Sequence, residues 1–180
     1  MMERIWRSVR RGGGEAAPEG IPVATFSPIG VVQNVVKESQ MFGWENVESR
    51  IVVRQELTDA LDGLDGFSHV IVLFWFHRVP EEERGLTRIH PMGDATLPLL
   101  GILATRTQLR PNPIGMSIVP LLGRKGNVLR LRGLDAIDGT PVLDVKPYIP
   151  HYDSVPQATI PAWAGEVVER RLHPRADELT

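Results

Sequence analysis

The sequence predicts an all-β, or at least β-rich, single domain folded as a barrel or a sandwich. Three observations carry this. Short apolar and β-branched runs recur along the chain, separated by Gly, Pro and Asp-Gly punctuation. Helical periods are rare. The signatures of the common nucleotide-binding α/β folds, GxGxxG after a strand and GxxxxGK[ST], are absent. Closing such a sheet into a barrel removes its exposed edges.

Composition sets outer bounds. A chain of 180 residues with 42% apolar and 23% charged residues suits one domain with a real core. There is no cysteine, so thiolate nucleophiles, thiolate metal sites and disulfides are excluded. No GxSxG elbow is present. The formal charge is −2 and the pI near 6.2, so nucleic acid would need a local basic patch. No apolar run reaches the roughly 18 residues of a membrane span, and arginines break up the N-terminus where a leader's apolar core would sit. A cytoplasmic protein is expected, with no membrane contact.

Residues 1–20, with Arg4, Arg7, Arg10 and Arg11 before Gly12–Gly14, read as a disordered tail. The body of the domain is expected over 21–161, and a short terminal helix and tail over 162–180. Val23–Ser27 is a strand candidate; Pro28 interrupts it and Ile29–Gln33 resumes it. Val35–Trp44 is a loop, in which Phe42 and Trp44 either join a satellite core or wall a pocket. Glu48–Arg54 is a short strand. Glu56–Leu64 has helical spacing at Leu57, Ala60, Leu61 and Leu64. Phe67–Arg78 is the strongest strand, apolar on both faces, so both faces are expected to be buried. Along a straight strand His69 and His77 would stand about 26 Å apart and could share no metal. His77, at the strand exit, is the better site candidate.

Pro80–Gly93 reads as loop or short helix. No HxH or HxxxH spacing accompanies His90, so no metal is expected. Gly101–Arg106 opens as strand, and Ile118–Leu122 follows as another, with 123–127 as a turn. Val128–Arg132 alternates apolar and basic residues, as a half-exposed strand does. Asp138-Gly139 signals a type I′ hairpin. Beyond it Val142, Asp144, Lys146 and Tyr148 are placed on one face, either a solvent face or a site wall. Residues 149–161 read as extended.

The stretch Ala104–Ser117 organises the rest. Pro111 and Pro113 stiffen it around Asn112, and Arg106 and Arg110 stand at its mouth. It is either a rigid connection with solvated arginines or a binding loop.

Three segments in order, Phe67–His77, Ala104-Thr-Arg with Arg110-Pro-Asn-Pro-Ile-Gly, and Leu134–Tyr148, resemble the TsaA-like family over roughly residues 24–153. Its best-known members are the TrmO-type tRNA methyltransferases. The resemblance implies a compact, non-Rossmann β-barrel working as a homodimer, with S-adenosylmethionine as cofactor. It implies N6-methylation of threonylcarbamoyladenosine beside the anticodon of tRNA. By motif, the cofactor would meet His77, Arg78, Arg106, Met116 and the segment Leu134, Asp135, Ala136 and Ile137. Phe42, Gly43 and Trp44 would form a further cofactor wall, though Gln40–Trp44 stands where many members carry Pro-Arg-Gln. Asp135, Arg110, Asn112 and Tyr148 are candidates for substrate or proton handling. The chain matches a short form without the further C-terminal domain of longer relatives. Two alternatives stand beside tRNA methylation: the same chemistry on another, small substrate, and a regulatory barrel that binds the cofactor without turnover.

Overall fold

Alternation fixes which way the strands face. In Glu48–Val53 and Val128–Arg132 every second residue is small or apolar, and Ser49, Ile51, Val53, Leu129 and Leu131 all turn inward with 2% exposure or less. The same period buries Val70, Val72 and Phe74 of His69–Trp75. A computed structural model describes residues 20–174 and joins these runs into a closed antiparallel barrel.

In chain order the strands are β1 (Gly30–Gln33), β2 (Glu48–Val53), β3 (His69–Trp75), β4 (Arg88–Ile89), β5 (Leu100–Gly101), β6 (Ile114–Lys125), β7 (Val128–Arg132) and β8 (Pro141–Pro147). Around the barrel the order is β1-β2-β7-β6-β3-β8, closed by β8 on β1; β4 and β5 pair outside it. Two helices follow, α1 (Pro150–Asp153) and α2 (Ala162–Leu172). The barrel interior is filled by Val32, Ile51, Val70, Val72, Phe74, Leu129, Leu131, Leu134 and Val142, each at most 1% exposed. Gly115 is required there: a Cβ would lie 2.3 Å from the Phe74 ring.

The all-β barrel matches expectation. Several elements do not. Val23–Ser27 forms no strand, and Val23 and Phe26 are 86% and 67% exposed. A closed barrel offers that segment no edge to pair with, since β1 already has β2 and β8 as neighbours. Strand β3 buries one face only; Ile71 and Leu73 are half-buried and Trp75 is exposed. The helical spacing at 56–64 becomes 3₁₀ turns, Gln55–Leu61 and Leu64–Gly66, because Gly63 breaks the run at φ 83°. Residues 101–106 turn into a 3₁₀ helix at Ile102–Ala104 instead of extending. Strand β6 is longer than expected, with its turn confined to Gly126-Asn127.

Asp138-Gly139 makes a turn but not a hairpin. Gly139 alone has positive φ (79°), whereas type I′ needs two such residues. The preceding residues 134–137 lie outside any strand. Val142 does not share a face with Asp144 and Lys146. The β3–β8 register slips at this point, pairing Leu73 with Asp144 and Phe74 with Val142, so Val142 stays in the core. Within 149–161, expected to be extended, Pro150–Asp153 is one helical turn, closed by Asp153 accepting from the Ile149 N–H at 2.7 Å. The expected tail 1–20, Gly20 apart, and the last residues 175–180 lie outside the described residues.

Candidate functional site

Antiparallel pairing sorts the loops onto two ends. One end collects the connections 34–47, 76–113 and 133–140; the other carries 54–68 and the tight turn at 126–127. His77, Arg78, Arg106, Arg110, Asn112, Leu134–Ile137 and Phe42–Trp44 therefore all belong to the first end. Met116, third in β6, stands just inside it on the outer wall, opposite Leu73 and 45% exposed. Tyr148 is not brought there. It follows β8 at the opposite end, its N–H donating to the His69 carbonyl.

The segment 134–137 is anchored by what its neighbours need. Leu134 and Ala136 are buried in the core, and Asp135 and Ile137 are half-buried. Asn34, at the end of β1, ties the segment down. Its amide nitrogen donates to the Ala136 carbonyl (2.8 Å) and to Ser49 Oγ (3.0 Å), and its own N–H donates to Asp138 Oδ1 (3.0 Å). Asp138 also pairs with Lys37 at 2.7 Å, and Lys37 and the Asn34 N–H hold its carboxyl below the usual carboxylate range. Ala136 N–H is used by the Leu134 carbonyl, but the N–H groups of Asp135 and Ile137 donate to no group among the described residues. Burial raises the Asp135 carboxyl above its ordinary value, against the pull of Arg171.

The exit of β3 faces this segment across the loop 34–47. Phe76 N–H donates to Pro113 O and His77 N–H to Trp75 O, each at 2.8 Å. Burial, with the Arg78 charge, lowers the pKa of half-buried His77, so its imidazole is neutral at pH 7. Arg78 bonds Glu38 at 3.0 Å. In the 104–117 loop, Thr105 and Thr107 hydroxyls accept backbone N–H groups of Thr107 and Leu109, which winds the chain locally. Arg110 is half-buried and Arg106 exposed, and neither pairs with a carboxylate among the described residues.

Phe42, Gly43 and Trp44 separate by role. Trp44 is 8% exposed, its indole N–H donating to Gln40 O at 2.9 Å, so it is core. Gly43 takes the left-handed backbone before the Trp44–Asn46 3₁₀ turn. Phe42 lines a cavity of about 370 Å³ with Met41, Met92, Asp94 and Arg170. Arg170 and Asp94 are residues that sequence reasoning passes over. Arg170 pairs with Asp94 and, at 2.6 Å, with Glu166, which places α2 over this end of the barrel. These contacts hold Asp94 far below the usual carboxylate range. Asn34 was equally silent in the sequence; nothing in a lone asparagine after a strand announces a three-way tie. No group of three or more His, Asp or Glu side chains positioned for a metal occurs among the described residues. None of their helices is long and apolar enough to cross a membrane.

An antiparallel barrel whose loops at one end carry, among the described residues, two guanidinium groups without carboxylate partners and two backbone N–H groups without acceptors is a ligand-binding β-barrel of non-Rossmann type. The chain belongs to the tRNA-methyltransferase O N-terminal domain family, whose profile matches residues 34–154. Among curated relatives, the tRNA (adenine(37)-N6)-methyltransferase of Escherichia coli K12 is 37% identical over 147 residues, 74% of this chain and 61% of that one. A probable S-adenosyl-L-methionine-binding protein of Methanothermobacter thermautotrophicus is 42% identical over 132 residues, 71% of this chain and 92% of its own length. The crystal structure of TrmO from Pseudomonas aeruginosa matches with a TM-score of 0.65 and 32% identity, covering 81% of this chain and 63% of that one. The chain thus spans less than two thirds of the Escherichia coli and Pseudomonas aeruginosa proteins and most of the Methanothermobacter one.

Proposed function

We propose that this protein is an S-adenosylmethionine-dependent methyltransferase that methylates N6 of threonylcarbamoyladenosine beside the anticodon of tRNA, as a cytoplasmic homodimer. One observation carries the reading: Arg106 and Arg110, without carboxylate partners among the described residues, share a barrel end with a largely buried segment whose Asp135 and Ile137 N–H groups have no acceptor among those residues. That donor set fits the cofactor. Arg106 suits a carboxylate through charge-assisted hydrogen bonds. Half-buried Ile137 offers an apolar surface, the Asp135 and Ile137 N–H groups offer backbone donors to a purine edge, and Met116 offers a thioether surface. The cofactor, when bound, supplies a methyl group on a sulfonium leaving group.

The chain's own work is alignment and proton handling. Holding acceptor nitrogen, methyl carbon and sulfur in line needs a rigid frame, and the prolines around Asn112 and the Asn34 tie provide one. The acceptor nitrogen must lose a proton, and a carboxyl raised by burial is a stronger base than an ordinary one; Asp135 takes that role. His77, kept neutral, is left as a hydrogen-bond acceptor at the same end of the barrel. The dimer reading rests on β3 and β6. Their outward faces align Trp75 with Ile114, Leu73 with Met116 and Ile71 with Ile118, an apolar patch that a second copy would cover. Ile114, Met116 and Ile118 are 41%, 45% and 46% exposed.

The test is transfer of labelled methyl from S-adenosylmethionine to tRNA that carries threonylcarbamoyladenosine but lacks the methyl group. Label appearing in that nucleoside supports the reading, and Asp135→Asn then slows turnover; full turnover in the variant removes Asp135 as base. The archaeal relatives described only as S-adenosyl-L-methionine-binding proteins favour one second reading, a barrel that binds without turnover. That reading predicts equal binding of the cofactor and its demethylated product, and no label in any RNA.

A further inference from the structure

The outer wall of β2 and β7 is built against electrostatic expectation. Register places Arg50 directly opposite Arg130, with Gln33 on the other side of Arg50, and places Glu48 opposite Arg132. Like charges directly opposite on neighbouring strands destabilise a sheet. Glu48 is the one carboxylate on this wall, and both Arg130 (3.4 Å) and Arg132 (3.0 Å) use it. Their charges hold its carboxyl below the ordinary value. Arg50 is exposed and makes no ion pair or side-chain hydrogen bond among the described residues. Three guanidinium groups therefore stand on a wall with one carboxylate, which two of them share.

Other arginines of the barrel behave differently. Arg124, with its side chain 15% exposed, is spent on Asp62 (2.7 Å), the Thr58 carbonyl and the Gly126 carbonyl. Arg84 and Arg88 donate to the Val79 and Leu99 carbonyls. Those cations are used up by the fold, whereas in the row on β2 and β7 two arginines divide a single exposed carboxylate and Arg50 has no partner among the described residues. Its position is also specific. Arg132 ends β7 one residue before Gly133 and the 134–137 segment, so the row starts beside the candidate site and runs away from it along the wall. Beside Arg50 lies an open depression of about 410 Å³ lined by Gln33, Asn34, Asp138 and Gly139.

We infer that the β2–β7 wall, through Arg50, Arg130 and Arg132, binds the phosphate backbone of the RNA nucleotides flanking the methylated one. Bridging phosphates turn the Arg50–Arg130 repulsion into attraction, and the guanidinium fork matches phosphate oxygens. An overall acidic chain holds a polyanion in this way through one local stripe. The inference rests on the tRNA reading above and names the surface that reading lacks.

The experiment measures binding of labelled tRNA by fluorescence anisotropy across a series of salt concentrations. It compares the unaltered protein, the double variant Arg50→Gln/Arg130→Gln, and Lys125→Gln at the opposite barrel end. Calorimetric titration with S-adenosylmethionine and thermal melts run beside it. The double variant is expected to bind tRNA roughly tenfold or more weakly, with the slope of log affinity against log salt reduced by about 1.4, near 0.7 for each single-strand phosphate lost. Lys125→Gln keeps slope and affinity, and all three proteins bind the cofactor alike. An unchanged slope in the double variant, or an equal loss in Lys125→Gln, overturns the wall while leaving the tRNA reading intact. Duplex DNA or anionic vesicles binding through the same arginines as tightly as tRNA overturns the assignment to RNA. An unaltered protein that binds cofactor but no tRNA overturns the tRNA reading itself, and the wall with it.

Discussion

The two ends of the barrel are built from the same strands and do different things. At the end away from the candidate site, β6 and β7 meet in the two-residue turn Gly126-Asn127, and the 54–68 connection is wound into 3₁₀ turns. Its polar groups serve the fold: Asn127 donates to the Val53 carbonyl, and Arg124 ties Thr58 and Asp62. At the other end three connections, 34–47, 76–113 and 133–140, meet with little regular backbone pairing, and they leave groups unspent. Arg106 has no carboxylate and the Asp135 and Ile137 N–H groups have no acceptor among the described residues. Satisfied polar groups mark scaffold and unsatisfied ones mark a place for something else.

Four changes break or sharpen that contrast. The largest effect belongs to the shared interior. Leu131→Ala removes a fully buried side chain and lowers stability by about 2–5 kcal/mol in denaturant melts. The folded fraction still binds S-adenosylmethionine normally. Next comes Arg106→Ala. Losing a charge-assisted contact of about 1.5–3 kcal/mol weakens calorimetric cofactor binding roughly 10- to 100-fold, with no change in melting temperature. A drop in stability instead would make Arg106 scaffold.

A third, smaller effect depends on pH. Asp135 has a folded pKa above its ordinary 3.8 because its charged form is desolvated. The folded state therefore binds the proton more tightly than the unfolded one, and this stabilising contribution is lost as pH rises through the folded value. Asp135→Asn avoids that loss, so its stability relative to the native protein increases as pH climbs above 3.8 and levels off once the native carboxyl is ionised. Melts over a pH series show this; a pH-independent difference would place Asp135 in water. The smallest effect is Tyr148→Phe. At the far end of β8, it leaves cofactor binding unchanged and stability within about 0.5 kcal/mol. A clear loss of binding would mean that the site extends across the barrel.

What was legible in the sequence follows the range of the forces involved. Period-two burial is written locally, so β2, β7 and β8 could be placed, and the long apolar, β-branched run marked β3. The residues His77, Arg106 and Asp135 stood out by type and by position at strand exits. Closure of the sheet is not local. Because β8 returns to β1, Val23–Ser27 had no edge to join, and its apolar residues misled. The one-residue slip in the β3–β8 register likewise moved Val142 to the core, invisibly to any periodic count. Tyr148 looked like a partner of the site because alternation says which face a residue takes, not which end of a barrel it reaches. Asn34, Arg170 and Asp94 act through partners more than 70 residues away, and no spacing rule spans that distance.

The chain leaves the barrel at the end away from the site and comes back: after β8 and α1, residues 154–161 lead to α2, which lies beside Asp94 and Phe42. Nothing of α2 is fully buried, and its principal tether joins residues 76 apart. Such a closure has little local help and is assembled after the barrel it leans on. It is also the first part to open in the native state. Amide exchange in α2 should therefore report a free energy well below that of global unfolding, and the mouth of the barrel is exposed more often than the barrel itself is undone.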